Sequence, residues 1–113
     1  MKYVLVTGAY GGMGKATAKA LKERGFRVFA LDKRTVDEEE DIIPIEADIT
    51  DENSIKAAFN CISDMTEELF AIIHFAGVYM LDSLIEMDSE DFERIFKINL
   101  GGVFLVNKTF IPL

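Results

Sequence analysis

Between an apolar run, Tyr3-Val4-Leu5-Val6, and a helix-like stretch that starts near Gly12 stands the segment Thr7-Gly8-Ala9-Tyr10-Gly11-Gly12-Met13-Gly14. No other stretch constrains the fold as much. A glycine-rich turn from a strand into a helix permits backbone angles that a Cβ forbids, and it lets an anion approach the main chain. The helix start adds unpaired N–H groups and a partial positive charge. Together these features make a cradle for a pyrophosphate.

The elements around that turn alternate. Residues 2–7 read as a strand. Residues 12–24 read as a helix with Met13, Ala16, Ala20 and Leu21 on its apolar side. Gly25 is placed to stop it. Arg27–Leu31 is a second strand, closed by Asp32. Residues 35–41 carry an acidic run, Asp37 to Asp41, that reads as an exposed loop or one helical turn. Residues 42–47 form a third strand, and Pro44 assigns it to a sheet edge. Residues 52–65 form a helix with Ile55, Ala58, Phe59 and Ile62 at helical spacing. Residues 69–75 form a strand apolar on both faces, as in a sheet covered on both sides. The last helix begins at Asp88 or Ser89, with Asp88 and Asp91 in capping-box spacing. It is apolar around most of its circumference from Phe92 to Phe110, which predicts burial on more than one side.

This order gives an α/β fold. It is a partial doubly wound parallel sheet of the Rossmann type, with strand order 3-2-1-4 and helices on both faces. The 113 residues read as a single dinucleotide-binding domain that stops after the helix following the fourth strand.

Composition narrows the partners. The net charge is −8, which argues against nucleic acid and anionic membranes, since both call for a basic patch. No apolar stretch approaches the roughly 20 residues of a membrane span. Cys61 is the only cysteine, so no internal disulfide forms, and its place in an amphipathic helix reads as packing. No metal-ligating set is expected, and the expected location is cytoplasmic.

The turn has the context that gives such motifs meaning. Asp32 ends the next strand, 18 residues beyond Gly14, close to the spacing of about 20 expected of an acid that hydrogen-bonds a ribose. A carboxylate there repels a 2′-phosphate and favours NAD. Lys33 and Arg34 stand where bases could grip such a phosphate, which keeps NADP as the alternative.

The chain resembles the amino-terminal part of a short-chain dehydrogenase/reductase. That family's Thr-Gly-x-x-x-Gly-x-Gly turn is matched by Thr7, Gly8, Gly12 and Gly14. Gly11 also fits the pattern of the extended branch. The general Gly-x-Gly-x-x-Gly fingerprint is not matched, because Thr17 occupies the third glycine position. Asp48-Ile49 resembles the pair that contacts adenine. His74-Phe75-Ala76-Gly77 stands in the place of Asn-Asn-Ala-Gly, with Ala76 and Gly77 matching and His74 and Phe75 departing. His74, the only histidine, reads as a hydrogen-bonded core residue. Lys97 to Phe104 resembles the segment whose asparagine, here Asn99, supports a relay to the catalytic lysine. This segment favours the non-extended branch. An Asn inside an apolar helix also implies a specific hydrogen bond.

The resemblance implies an NAD(P)-dependent oxidoreductase acting on alcohols or carbonyls. The implied cofactor residues are Thr7, Gly8, Tyr10, Gly11, Gly12, Met13, Gly14, Asp32, Lys33, Asp48, Ile49, Ala76 and Gly77. The only matched member of the catalytic group is Asn99. The family's Tyr-x-x-x-Lys pair is absent, since Thr7, Gly14 and Ser83 stand four places after Tyr3, Tyr10 and Tyr79. The serines at 54, 63, 83 and 89 all precede the segment where the family's serine falls. The expectation is therefore a cofactor-binding half without turnover, prone to self-association through the fourth strand's edge or the last helix. A non-catalytic nucleotide-binding or interaction module is the alternative. A methyltransferase-type sheet that holds S-adenosylmethionine is a third reading, opposed by the ordered matches.

Overall fold

A computed structural model describes residues 1–113. The elements run β1 (Tyr3–Thr7), α1 (Gly12–Glu23), β2 (Arg27–Asp32), β3 (Ile42–Glu46), α2 (Glu52–Ser63), β4 (Ala71–His74), α3 (Ser89–Phe96), a π-helical turn (Lys97–Gly101) and α4 (Gly102–Phe110). The four strands form one parallel sheet in the order β3-β2-β1-β4. The α/β class, the strand order and the edge position of β3 agree with the sequence reading. Pro44 pairs in register with Ala30 and costs little there, because the outer side of β3 has no neighbour.

Alternation along the strands divides the core between the two faces. Leu5, Phe29, Leu31, Ile43 and Ile45 point to one side, where Ile55 and Ile62 of α2 and Val106 and Phe110 of α4 cover them. Val4, Val6, Val28 and Ala30 point to the other, against Ala18 of α1. Central strands buried on both faces read as continuous apolar runs for this reason.

The helices are stopped and started by local chemistry. Asp51 caps α2, its side chain accepting from the amides of Asn53 and Ser54. α1 closes at Gly25 (φ 88°), with the Phe26 amide returning to the Leu21 carbonyl.

Several expectations are corrected. The buried side of α1 is Gly14 and Ala18, while Met13, Ala16 and Ala20 are exposed. Gly14 seats against the preceding turn and sets the rotation of the helix, which hydropathy alone does not reveal. Cys61 is exposed, one position off the buried stripe of Ile55, Ala58 and Ile62. Asp88 makes no side-chain cap to α3. β4 is only the four residues Ala71–His74. The acidic run is a loop with one isolated bridge, Glu39 to Ile42, and a left-handed Asp41 (φ 63°).

The last helix departs most. It is interrupted by the π-helical turn, and it is buried on one side only. Gly102, Val106 and Phe110 face the core, whereas Phe92, Phe96, Leu100 and Phe104 are all more than half exposed.

Candidate cofactor site

The carboxyl ends of all four strands open into one cavity of about 330 Å³. This is where ligands bind in open parallel sheets. Of the residues singled out from the sequence, Gly8, Gly11, Asp32, Lys33, Asp48, Ile49, Ala76 and Gly77 line it. These positions span most of the chain, and the topology brings them together.

The floor of the cavity is the turn after β1. Gly8 is left-handed (φ 63°), and a Cβ there would lie 2.5 Å from the Ala76 nitrogen. A Cβ on Gly14 would lie 2.0 Å from the Gly8 carbonyl oxygen. Only glycine fits either place. Gly11 is the N-cap of α1 and offers no side-chain cap, and the amides of Gly12, Met13 and Gly14 have no acceptor within the chain. Three free N–H groups at a helix start fit an anion.

Two carboxylates also line the cavity. Asp32 accepts from the Tyr10 amide at 3.0 Å through one oxygen and from the Lys33 amide at 2.7 Å through the other. Asp48 accepts from the amide and hydroxyl of Thr50, at 2.9 and 2.7 Å, on a single oxygen. Its second oxygen is left facing Lys33 Nζ at 4.0 Å. The Thr50 hydrogen bonds, aided by the charges of Lys33 and Lys97, hold the Asp48 carboxyl below its ordinary pKa. The site therefore presents two carboxyl groups, with the lysine leaning toward Asp48. Arg34 is exposed and does not line the cavity.

One wall of the cavity follows β4. Thr7, fully buried, accepts the Ala76 amide on its hydroxyl oxygen at 3.3 Å. Asn99 clamps Val78 on both sides, accepting its amide at 2.8 Å and donating to its carbonyl at 2.7 Å. The specific hydrogen bond expected of Asn99 is thus a backbone clamp, made from within the π-helical turn. Such turns often occur at functional sites.

The remaining sequence candidates lie outside the cavity. Tyr10 and Gly12 border a separate groove between α1 and the acidic loop. Burial, with Glu39 and Asp32 nearby, pushes the Tyr10 phenol pKa up. Met13 is exposed, and Gly14 is buried beneath the turn. His74 is hydrogen-bonded, with Nε2 2.8 Å from Asn107 Oδ1 and Nδ1 3.4 Å from Thr7 Oγ1.

Four contributors escaped sequence reasoning. Thr50 was legible, since a hydroxyl two residues after an aspartate commonly closes a local turn. Val78, Arg94 and Asn107 carried no signal, because each depends on the path of the last helix. Arg94 reaches the cavity from α3, near Ile98.

With this geometry in view, comparison with known proteins identifies the class. The short chain dehydrogenase family model matches residues 2–113. Among curated relatives, a 2,3-dihydro-2,3-dihydroxybenzoate dehydrogenase of Escherichia coli is 31% identical across 91% of this chain and 42% of its own length. The ligand-free aldohexose dehydrogenase of Thermoplasma acidophilum superposes with a TM-score of 0.90 at 29% identity, covering 98% of this chain and 43% of that one. A short chain dehydrogenase of Leptospira borgpetersenii with bound NAD+ gives 0.89 at 27% identity, covering 98% of this chain and 45% of that one. The chain belongs to the short-chain dehydrogenase family of oxidoreductases. It spans about two fifths of the length of the curated relatives it matches. No helix is long and apolar enough to cross a membrane.

Proposed function

We propose that these residues form a dinucleotide-binding domain, the cofactor-binding half of an NAD(P)-dependent oxidoreductase that transfers hydride between a nicotinamide and an alcohol or carbonyl. The single observation that carries this reading is the cavity itself. Eight residues chosen from motifs converge in it, and Gly11 on its lining is the uncapped N-terminus of α1. In this reading the turn from Thr7 to Gly14 holds the pyrophosphate, with Tyr10 and Met13 contributing as turn residues. Asp32 takes the adenosine ribose. Asp48, through its free oxygen, and the Ile49 backbone take the adenine edge. Ala76 and Gly77 form the wall behind the second ribose. Asn99 is the matched member of the catalytic group, and its hold on Val78 supports that role by fixing the wall.

The bound nicotinamide would supply the hydride chemistry. The chain's own residues bind and orient. NAD is favoured over NADP, because Asp32 presents negative charge while Lys33 leans toward Asp48 and Arg34 stays outside the cavity. The single cysteine fits a cytoplasmic setting.

Titration calorimetry with NAD and NADP tests the reading. Saturable NAD binding in the micromolar-to-millimolar range, stronger than NADP and lost in Asp32→Ala, is the expected result. No heat with millimolar NAD overturns it. The chain is expected to show no turnover, and alcohol-dependent reduction of NAD by these 113 residues would overturn that part.

A second reading, an interaction module, draws on the exposed row Phe92, Phe96, Leu100 and Phe104 and on the outer edge of β4. Apolar patches and open edges of this kind mark association surfaces. Self-association through them predicts a dimer by sedimentation equilibrium that Phe96→Glu dissociates. A monomer at every concentration would overturn it.

A further inference from the structure

We propose that His74 is a positioning residue for the cofactor cavity, acting through the Thr7 hydroxyl; this rests on the cavity being a dinucleotide site. Thr7 is fully buried, and its hydroxyl has one proton to donate and two lone pairs. The Ala76 amide donates to the oxygen at 3.3 Å. His74 Nδ1 is the one acceptor in reach for the hydroxyl proton, at 3.4 Å.

Two arrangements of the histidine can be weighed. If Nε2 carries the proton, it donates to Asn107 Oδ1 at 2.8 Å, and bare Nδ1 accepts from Thr7. Every group is then satisfied. If Nδ1 carries the proton, it donates to Thr7 Oγ1, which already accepts from Ala76. The Thr7 proton is then buried without a partner, which is costly. The network therefore assigns the Nε2–H form. In that form His74 holds the Thr7 hydroxyl with its lone pair aimed at Ala76.

That direction matters because of what Ala76 touches. Its nitrogen is packed against Gly8 so closely that a Cβ on Gly8 would stand 2.5 Å away. The Thr7 hydroxyl thus joins the pyrophosphate turn to the wall after β4, and both line the cavity. His74 has two functions on two nitrogens. Nδ1 serves the cavity, and Nε2 ties β4 to Asn107 on α4.

Two isosteric replacements separate these functions. Asparagine places an acceptor near Nδ1 and nothing near Nε2. Glutamine places a donor near Nε2 and nothing near Nδ1. In the full chain, His74→Asn is expected to keep NAD affinity near wild type while lowering the melting temperature. His74→Gln is expected to weaken NAD binding about tenfold, one lost hydrogen bond's worth, and to lower the melting temperature as well, because it leaves the buried Thr7 proton without an acceptor. A residue that only stabilised the fold would move both properties together in both variants, and that result overturns the proposal. Unchanged affinity in His74→Gln also overturns it. Nitrogen NMR of the imidazole reads the network without any ligand. A bare Nδ1 and protonated Nε2 are expected, and a protonated Nδ1 refutes the assignment. Failure of the wild-type chain to bind NAD would instead overturn the cofactor reading and the positioning role with it, while the spectrum still judges the network.

Discussion

The two loops that flank the cavity, one after β1 and one after β4, are built on opposite plans. The β1 turn is closed by its own backbone. The Gly11 amide returns to the Gly8 carbonyl at 3.2 Å, and Gly14 is pressed against the same carbonyl. The wall after β4 has no such closure. Ala76 is held by Thr7, 69 residues away, and Val78 by Asn99, 21 residues away. Beyond Val78 the chain runs with Tyr79, Leu81, Leu84 and Ile85 exposed. One half of the cavity is thus closed largely within its own turn, with Leu31 and Asp32 of β2 holding the Ala9 and Tyr10 amides, whereas the other is held by a few distant side chains.

The largest expected effect comes from breaking the local half. Gly14→Ala puts a methyl group 2.0 Å from a backbone oxygen that cannot rotate away. Either the turn opens or α1 shifts, at a cost of about 3 kcal/mol, the upper end for overpacking. Chemical denaturation should show that loss, and NAD binding should disappear with it. A variant of wild-type stability would mean that the turn is more compliant than its contacts imply.

The distant half should break more gently. Asn99→Ala removes both hydrogen bonds to Val78 and should cost about 1–2 kcal/mol, since each exchanges partly for water. The sharper readout is hydrogen exchange. The Val78 amide should lose its protection while those of Val4, Leu5 and Val6 keep theirs, because β1 is buried and central. Uniform loss across the sheet would show that the clamp stabilises the whole fold and not the wall alone.

The same division explains what could be read from the sequence. Strand order, the edge position of β3 and the converging cavity were legible because they follow from local patterns. These are apolar runs, a glycine turn, an acid closing β2 and a proline in β3. The rotation of α1 was not legible, because Gly14 fixes it by contact while Met13 and Ala16 advertise an apolar side that remains exposed. The π-helical turn left no pattern in hydropathy, so the last helix read as one continuous element. Its interruption carries Asn99, whose clamp on Val78 the sequence hinted at only as a misplaced polar residue. Asn107 gave no sign, because its partner His74 lies on a strand that no spacing rule connects to α4.

Asp48 lies between the two plans and sharpens the contrast. It stands on a loop, yet its hydrogen bonds come from Thr50, two residues on, so its geometry is local and its effect should be electrostatic. The folded chain holds its pKa low, through the Thr50 bonds first and the charges of Lys33 and Lys97 after them. A carboxyl whose pKa falls on folding stabilises the native state above its unfolded pKa, about 3.9. That contribution is lost as pH drops through this value and then through the lower folded one. The side chain is 38% exposed, so screening keeps the effect below about 1 kcal/mol. Wild type should therefore lose more stability than Asp48→Asn between about pH 6 and pH 3, with the two curves converging at the acid end. Thr50→Val should flatten the curve in the same way, because it removes the hydroxyl that contributes most. If Thr50→Val keeps the full acid slope while replacement of Lys33 abolishes it, the lysine dominates, and Asp48 belongs with the residues held from a distance.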